Sequence, residues 1–97
     1  MIPVELSADA DADLDSIFEY SIDTFGDEIA EAYLRDLKAA LVRLSEYPEL
    51  GMVRADLGLR PRCLPCREHH IFYRFDGERV FVGRVLHRAM DPSRWLI

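Results

Sequence analysis

The side chains of this chain best able to do chemistry collect near its end, in Arg84-Val85-Leu86-His87-Arg88-Ala89-Met90-Asp91 and, just before it, Arg67, His69, His70, Tyr73 and Arg74. A guanidinium grips carboxylate or phosphate through a rigid fork, an imidazole moves protons near neutral pH, and a phenol orients or donates. They are interleaved with Ile71, Phe72, Phe75, Val80, Val82, Val85 and Leu86. Strand alternation explains those apolar positions as a sheet burying a face, but it does not explain so many cationic groups on one small sheet. Such groups call for a charged partner or for catalytic work.

Charge is divided unevenly along the chain. Residues 1–50 carry 13 acidic and 3 basic side chains (minus 10) and residues 51–97 carry 5 acidic and 9 basic (plus 4), which together give the net charge of −6. All nine cations of the second half are arginine. Arginine stays charged when partly enclosed, so this half suits recognition of an anion better than solubility alone. The competing explanation is that these arginines pair with the acidic helices of the same chain. An acidic total argues against indiscriminate nucleic-acid binding, and no direct sequence-specific nucleic-acid binding is expected.

The 97 residues, 49% of them hydrophobic, are expected to form one domain over residues 1–97 with a single core. No apolar run approaches the roughly 20 residues needed to span a bilayer, and the first residues lack the features of a signal peptide, so a cytoplasmic protein without membrane contact is expected. Cys63 and Cys66 are then reduced thiols, read as small buried hydrophobes in a connection between strands. Asp9, Asp11, Asp13 and Asp15 lack the glycine and bidentate glutamate of a calcium loop and are read as solvated charge at a helix start. No metal site and no cofactor are expected.

The elements that must position these groups follow from periodicity. Ile2 to Leu6 reads as a peripheral strand because of Pro3. Leu14, Ile17, Phe18, Ser21, Ile22 and Phe25 form one helical stripe, Gly26 breaks it, and Ile29 to Leu44 form a second, which Pro48 stops near Tyr47. A loop marked by Gly51 and Gly58 leads to strands over Leu59–Leu64, Arg67–Phe75 and Arg79–His87, the last two joined at Asp76-Gly77. The result is an α+β fold: an N-terminal strand, an antiparallel helical hairpin and a three-stranded antiparallel meander, with the helices packed on one sheet face and the other face free. The last strand is apolar on both faces and belongs inside the sheet, so Arg84 is partly enclosed and wants an anion. Which face of strand 67–75 is buried stays open.

The Pro48-Glu49-Leu50-Gly51 loop, the strand Arg62 to Pro65, His69-His70-Ile71-Phe72-Tyr73-Arg74 and the closing segment 84–91, taken in this order, resemble the ParE-type toxins of the ParE/RelE superfamily over nearly the whole chain. The resemblance implies a RelE/ParE-like fold and a toxin of a bacterial type II toxin-antitoxin pair, of the kind linked to plasmid stabilization. It further implies neutralisation by a ParD-like antitoxin in a hetero-oligomer, and inhibition of DNA gyrase with no catalysis by the chain itself. Arg60, Arg62, Arg67, Arg74, Arg84, His87, Arg88, Arg94 and Trp95 are the candidate partner-binding residues.

Two alternatives remain. In a RelE-like messenger-RNA endonuclease working on the ribosome, His87 (or His69 or His70) would move protons, Arg84 and Arg67 would bind phosphate with Arg60 and Arg62, and Tyr73 would orient the nucleotide. Residues 39–97 hold no lysine and no tyrosine follows Tyr73, which favours the inhibitor. The second alternative is a relic that only binds its antitoxin. The Trp95-Leu96-Ile97 end, beside Arg94, is a candidate interface anchor.

Overall fold

The computed structural model describes residues 1–96. In chain order the elements are β1 (Val4–Leu6), α1 (Ala8–Phe25), α2 (Asp27–Glu46), β2 (Met52–Val53), β3 (Arg62–Cys66), β4 (His69–Phe75), β5 (Val80–His87) and α3 (Pro92–Trp95). Ser7 starts α1 by accepting a bond from the Ala10 amide (2.9 Å) and donates its hydroxyl to the Gly83 carbonyl (2.6 Å), so the helix cap is also a tie to β5. Gly26, at φ 88° and ψ 170°, turns the chain from α1 into α2 in a conformation open to glycine at no steric cost.

The sheet has five strands in the order β1-β5-β4-β3-β2. The β3-β4-β5 meander is antiparallel as expected, with Leu64 opposite Ile71 and Ile71 opposite Val85. Three details correct the reading from sequence. β1 is shorter than Ile2–Leu6 and runs parallel to β5, with Val4 opposite Val80 and Leu6 opposite Val82. The loop after α2 contributes the edge strand β2, Met52 pairing with Cys63. β3 begins at Arg62 rather than Leu59, because Leu59 and Arg60 take positive φ (63° and 47°), which no strand permits.

The two helices lie on one face of the sheet, and the main core forms there from Leu14, Leu37, Leu44, Ile71, Tyr73, Val80, Val82 and Val85 with others. Burial of each large aliphatic side chain contributes about 1.5–3 kcal/mol. The far face is not free, as expected from the sequence, but holds a smaller core of Leu57, Cys63, Phe72 and Leu86, with Met90 and Leu96 packed against it. Both faces of β4 are therefore buried at Ile71-Phe72-Tyr73, which settles the question alternation left open. Cys63 belongs to the far-face core and Cys66 packs at the main core, both inside β3 rather than in a connection, and both are free thiols. Opposite faces keep them from bonding one another, and burial pushes both thiol pKa values up.

A bulge interrupts β5. Phe72 pairs with Arg84 but Tyr73 pairs with Val82, so Gly83 is the extra residue. The bulge lets Val82 and Val85, three apart, both face the main core.

Candidate functional site

The far face of the sheet carries a groove of about 530 Å³. Its floor comes from Phe72 on β4 with Phe81 and Gly83 on β5, while Leu59 and Trp95 line it from the loop and α3. The loop wall is shaped locally: the Arg54 amide donates to the Pro61 carbonyl (2.7 Å), Arg54 clasps Asp56 through two bonds (2.9 and 2.8 Å), and Leu57 anchors in the far-face core. The left-handed pair Leu59-Arg60 then turns the Leu59 side chain out, 75% exposed. On the other side Asp91 caps α3 by accepting from the Ser93 amide (3.0 Å) and hydroxyl (2.8 Å), bonds that hold its carboxyl below the usual range. Trp95 stands at the rim, 45% exposed.

Arg84 joins α3 to the body. Its guanidinium lies over the Trp95 ring (5.6 Å to the centroid) and forks onto Asp13 of α1, with Nε to Oδ2 at 2.8 Å and Nη2 to Oδ1 at 2.9 Å. Asp13 Oδ2 also accepts from the Val85 amide (2.9 Å). The side chains of Arg84 and Asp13 are 19% and 15% exposed, and the pairing raises the arginine pKa further. The enclosed Arg84 expected from the sequence thus has its anion, supplied by its own chain. Asp13 is not solvated charge: it lies three residues after buried Ala10 and one before buried Leu14, at the margin of the apolar stripe, the one sequence signal for its role.

Internal pairing extends to most of the arginine-rich half. Arg54, Arg62, Arg67, Arg79, Arg84 and Arg88 each pair with a carboxylate of this chain: Asp56, Glu49, Asp36, Glu5, Asp13 and Glu68 respectively. The vacant cationic platform expected from composition is therefore reduced. Among the described residues, Arg60, Arg74 and Arg94 are the arginines of the second half without a carboxylate within 4.0 Å. Arg74 lines the groove, and Arg60 and Arg94 adjoin its wall residues Leu59 and Trp95. Ile97 lies outside the described residues.

Of the residues named for nuclease chemistry, His69 and His87 meet edge-on (5.3 Å between ring centroids), while Tyr73, Arg84 and Arg67 each have partners of their own. Tyr73 is buried in the main core, where its hydroxyl accepts from the Gly51 amide and donates to the Pro48 carbonyl, both at 2.8 Å. It fastens the loop after α2, which Arg62 secures again through bonds to the Glu49 and Gly51 carbonyls (3.1 and 2.8 Å). Arg67, at φ 52° in the β3–β4 turn, pairs with Asp36 (2.6 Å) and lies over the Tyr33 ring. Arg84 is held by Asp13. His87 is exposed, with Nδ1 accepting from the Ala89 amide (3.1 Å). His70 sits edge-on to Phe72 on the far face, and burial lowers its pKa first, nearby cations after that.

One cluster escaped the sequence reading. Tyr33 of α2 reaches the β3–β4 turn, where its hydroxyl meets His69 Nδ1 (2.6 Å) and accepts from the Glu68 amide (3.1 Å). Burial, then the neighbouring His87 ring at 5.3 Å, push the His69 pKa down to about 4, so the ring is neutral near pH 7 and Nδ1 can accept a hydrogen bond from the Tyr33 hydroxyl. A lone tyrosine on a helix stripe carries no sequence signal of this contact.

Residues 4–92 match the family described as ParE toxin of type II toxin-antitoxin system, parDE. The chain is 40% identical to Toxin ParE1 of Caulobacter vibrioides over 96 residues, 99% of each chain, and 41% identical to Toxin ParE1 of Mycobacterium tuberculosis over 92 residues, 92% of each. Among solved structures, a chain of the chromosomal ParDE toxin-antitoxin system from P. aeruginosa shares the fold, with a TM-score of 0.77 at 21% identity, covering 90% of this chain and 96% of that one. The chain belongs to the ParE toxin family of type II toxin-antitoxin systems.

Proposed function

We propose that this toxin is neutralised by a ParD-like antitoxin seated in the far-face groove and that, once released, it inhibits DNA gyrase by binding, without breaking bonds itself. The observation that carries the reading is the groove: an apolar floor and walls with exposed Phe81, Leu59 and Trp95, beside the three arginines of the second half that, among the described residues, have no carboxylate within 4.0 Å. A segment with apolar anchors and carboxylates fits it, the anchors supplying burial and the carboxylates meeting Arg60, Arg74 and Arg94. Aromatic and arginine side chains of this kind dominate binding energy at interfaces. Arg62, Arg67, Arg88 and His87 do not line this groove: Arg62 ties down the loop after α2, Arg67 pairs with Asp36 of α2 and His87 lies against His69, so a partner would reach them only beyond the groove.

Support for inhibition over RNA cleavage is geometric. Tyr73 and Arg84 each have internal partners in separate neighbourhoods, and in the cluster that does form, Arg67 over Tyr33 with His69 and His87 beside it, the arginine is already paired with Asp36 and the Tyr33 hydroxyl with His69. No helix among the described residues is long and apolar enough to cross a membrane, which fits a cytoplasmic toxin.

The purified chain added to a gyrase supercoiling assay, and separately to a translation reaction with mapped RNA ends, tests this. Inhibited supercoiling with intact RNA is expected; RNA cleavage with unaffected gyrase overturns the reading. Silence in both assays, with antitoxin binding retained, would identify a relic.

A further inference from the structure

We propose that the outer edge of β1 is a self-association surface, on which two copies of this chain pair their β1 strands antiparallel about a twofold axis and join their five-stranded sheets into one. Two observations lead there: an open ladder and an apolar slot beside it.

The ladder comes first. The Pro3 carbonyl accepts from the Val80 amide (2.9 Å) and the Ser7 amide donates to the Val82 carbonyl (2.9 Å), so alternate residues Pro3, Glu5 and Ser7 face β5. The amides and carbonyls of Val4 and Leu6 consequently point outward, where no strand of the described residues lies. Edges of this kind are ordinarily blunted by lysine, by a bulge or by a covering segment. Here β1 is short and carries Glu5, with Pro3 at one end, but among the described residues no strand covers it.

Beside this edge, β1 and α2 leave a slot of about 260 Å³ lined by Met1, Val4, Leu6, Leu41, Val42 and Ser45. Val42 is 51% exposed on α2, although the helix offers ample charged positions, and Met1 and Leu6 are exposed with it. A twofold axis through Glu5 sets Val4 of one copy against Leu6 of the other as hydrogen-bonded pairs. The apolar side chains of both strands then meet over both slots. A foreign peptide gains few bonds from so short a strand, whereas a second copy brings its own slot and its own Val42.

Charge tolerates this register rather than favouring it. Glu5 meets Glu5 of the other copy at the axis, a repulsive arrangement on its own. Each glutamate, however, holds Arg79 of its own chain at 3.3 Å, so the row across the axis runs cation, anion, anion, cation. A slip by one residue would instead point Glu5 into the apolar slot.

Sedimentation velocity of the full chain over a concentration series is expected to show a monomer–dimer equilibrium. Val42→Glu, which charges the slot, and Val4→Pro, which removes an outward amide, should each raise the dissociation constant by about tenfold or more. Independently of those variants, Glu5→Cys should give a disulfide-linked dimer under mild oxidation. Opposed residues at a non-hydrogen-bonded position have Cα atoms about 4.5 Å apart, within disulfide reach. Met52→Cys on the opposite edge, and the unsubstituted chain, should stay unlinked. A chain that remains monomeric throughout, a dimer indifferent to Val42→Glu with no link through position 5, or a Glu5→Cys chain that links only to an added antitoxin would overturn the proposal.

Discussion

Replacing Asp13 by alanine tests whether Arg84 is first of all a structural residue. The substitution removes two charge-assisted bonds to the Arg84 guanidinium and the acceptor of the Val85 amide. Arg84 is then left enclosed without an anion, and removing one member of a buried pair costs about 3–5 kcal/mol. With the two side chains 19% and 15% exposed rather than fully buried, the lower end applies, ~3 kcal/mol. For a chain of this size that is a large share of a total stability of roughly 5–15 kcal/mol. At about 4–8 °C per kcal/mol it lowers the melting midpoint by at least ~12 °C. Calorimetry or urea unfolding of Asp13→Ala, Arg84→Ala and the double variant measures it. The double variant should be less destabilised than the two singles summed, since neither partner is then left alone. Arg88→Ala serves as the control because its partner Glu68 is exposed, and it should move the midpoint little. The reasoning fails if Asp13→Ala and Arg88→Ala shift the midpoint equally, or if the two singles add without coupling. A lower antitoxin affinity of Arg84→Ala must be judged against this loss of stability.

Gly51→Ala would place a methyl group 2.8 Å from the Tyr73 ring and 2.9 Å from the Cys63 carbonyl, and backbone cannot yield as a flexible side chain can, so a loss of about 1–3 kcal/mol is expected in urea unfolding. Tyr73→Phe leaves the Gly51 amide and the Pro48 carbonyl without their partner at a cost of roughly 1–3 kcal/mol, and a neutral result would show that water replaces the hydroxyl freely. His69 is held neutral down to about pH 4 in the folded chain against about 6.5 unfolded, so the unfolded state binds the extra proton and stability falls as pH drops from about 6.5 toward 4. The whole displacement corresponds to ~3 kcal/mol, and screening of this partly exposed ring reduces it to about 1–2 kcal/mol; His69→Gln should flatten unfolding free energy over that window, and an unchanged slope would contradict the assignment. Removing Ser93 to Ile97 should weaken antitoxin binding and toxicity more than folding, because Trp95 lines the groove while only Leu96, of the described part, packs on the far-face core; equal loss of all three would refute it.

Local signals were readable where one residue type has one physical role. The 3 and 4 spacing from Leu14 to Phe25 and from Ile29 to Leu44 located both helices, Gly26 and Pro48 marked their ends, and Asp76 with Gly77 marked the last turn. There Asp76 accepts from the amides of Glu78 and Arg79 (both 2.9 Å), so the turn spans four residues rather than two. The Arg67-Glu68 turn has no such signal. Its strained φ is carried by an arginine that Asp36 and the Tyr33 ring hold from another element. The bulge at Gly83 was invisible as well, because alternation is read only while the period stays two. Ion pairing is the least legible property of all: Asp13 and Arg84 are 71 residues apart, and composition counts charges without saying which of them meet.

The parallel pairing of β1 with β5 also sets an order of assembly. Val4 to Leu6 have no strand neighbour until Val80 to Val82 exist, so the first strand to be synthesised waits for the last. A growing chain that has reached only residue 79 holds the helical hairpin with much of its apolar stripe uncovered, and closure of the sheet is a late, long-range event. Folding of this toxin should therefore be slow for its size and limited by the meeting of its two distant ends, and the incomplete chain would be the species most in need of a chaperone.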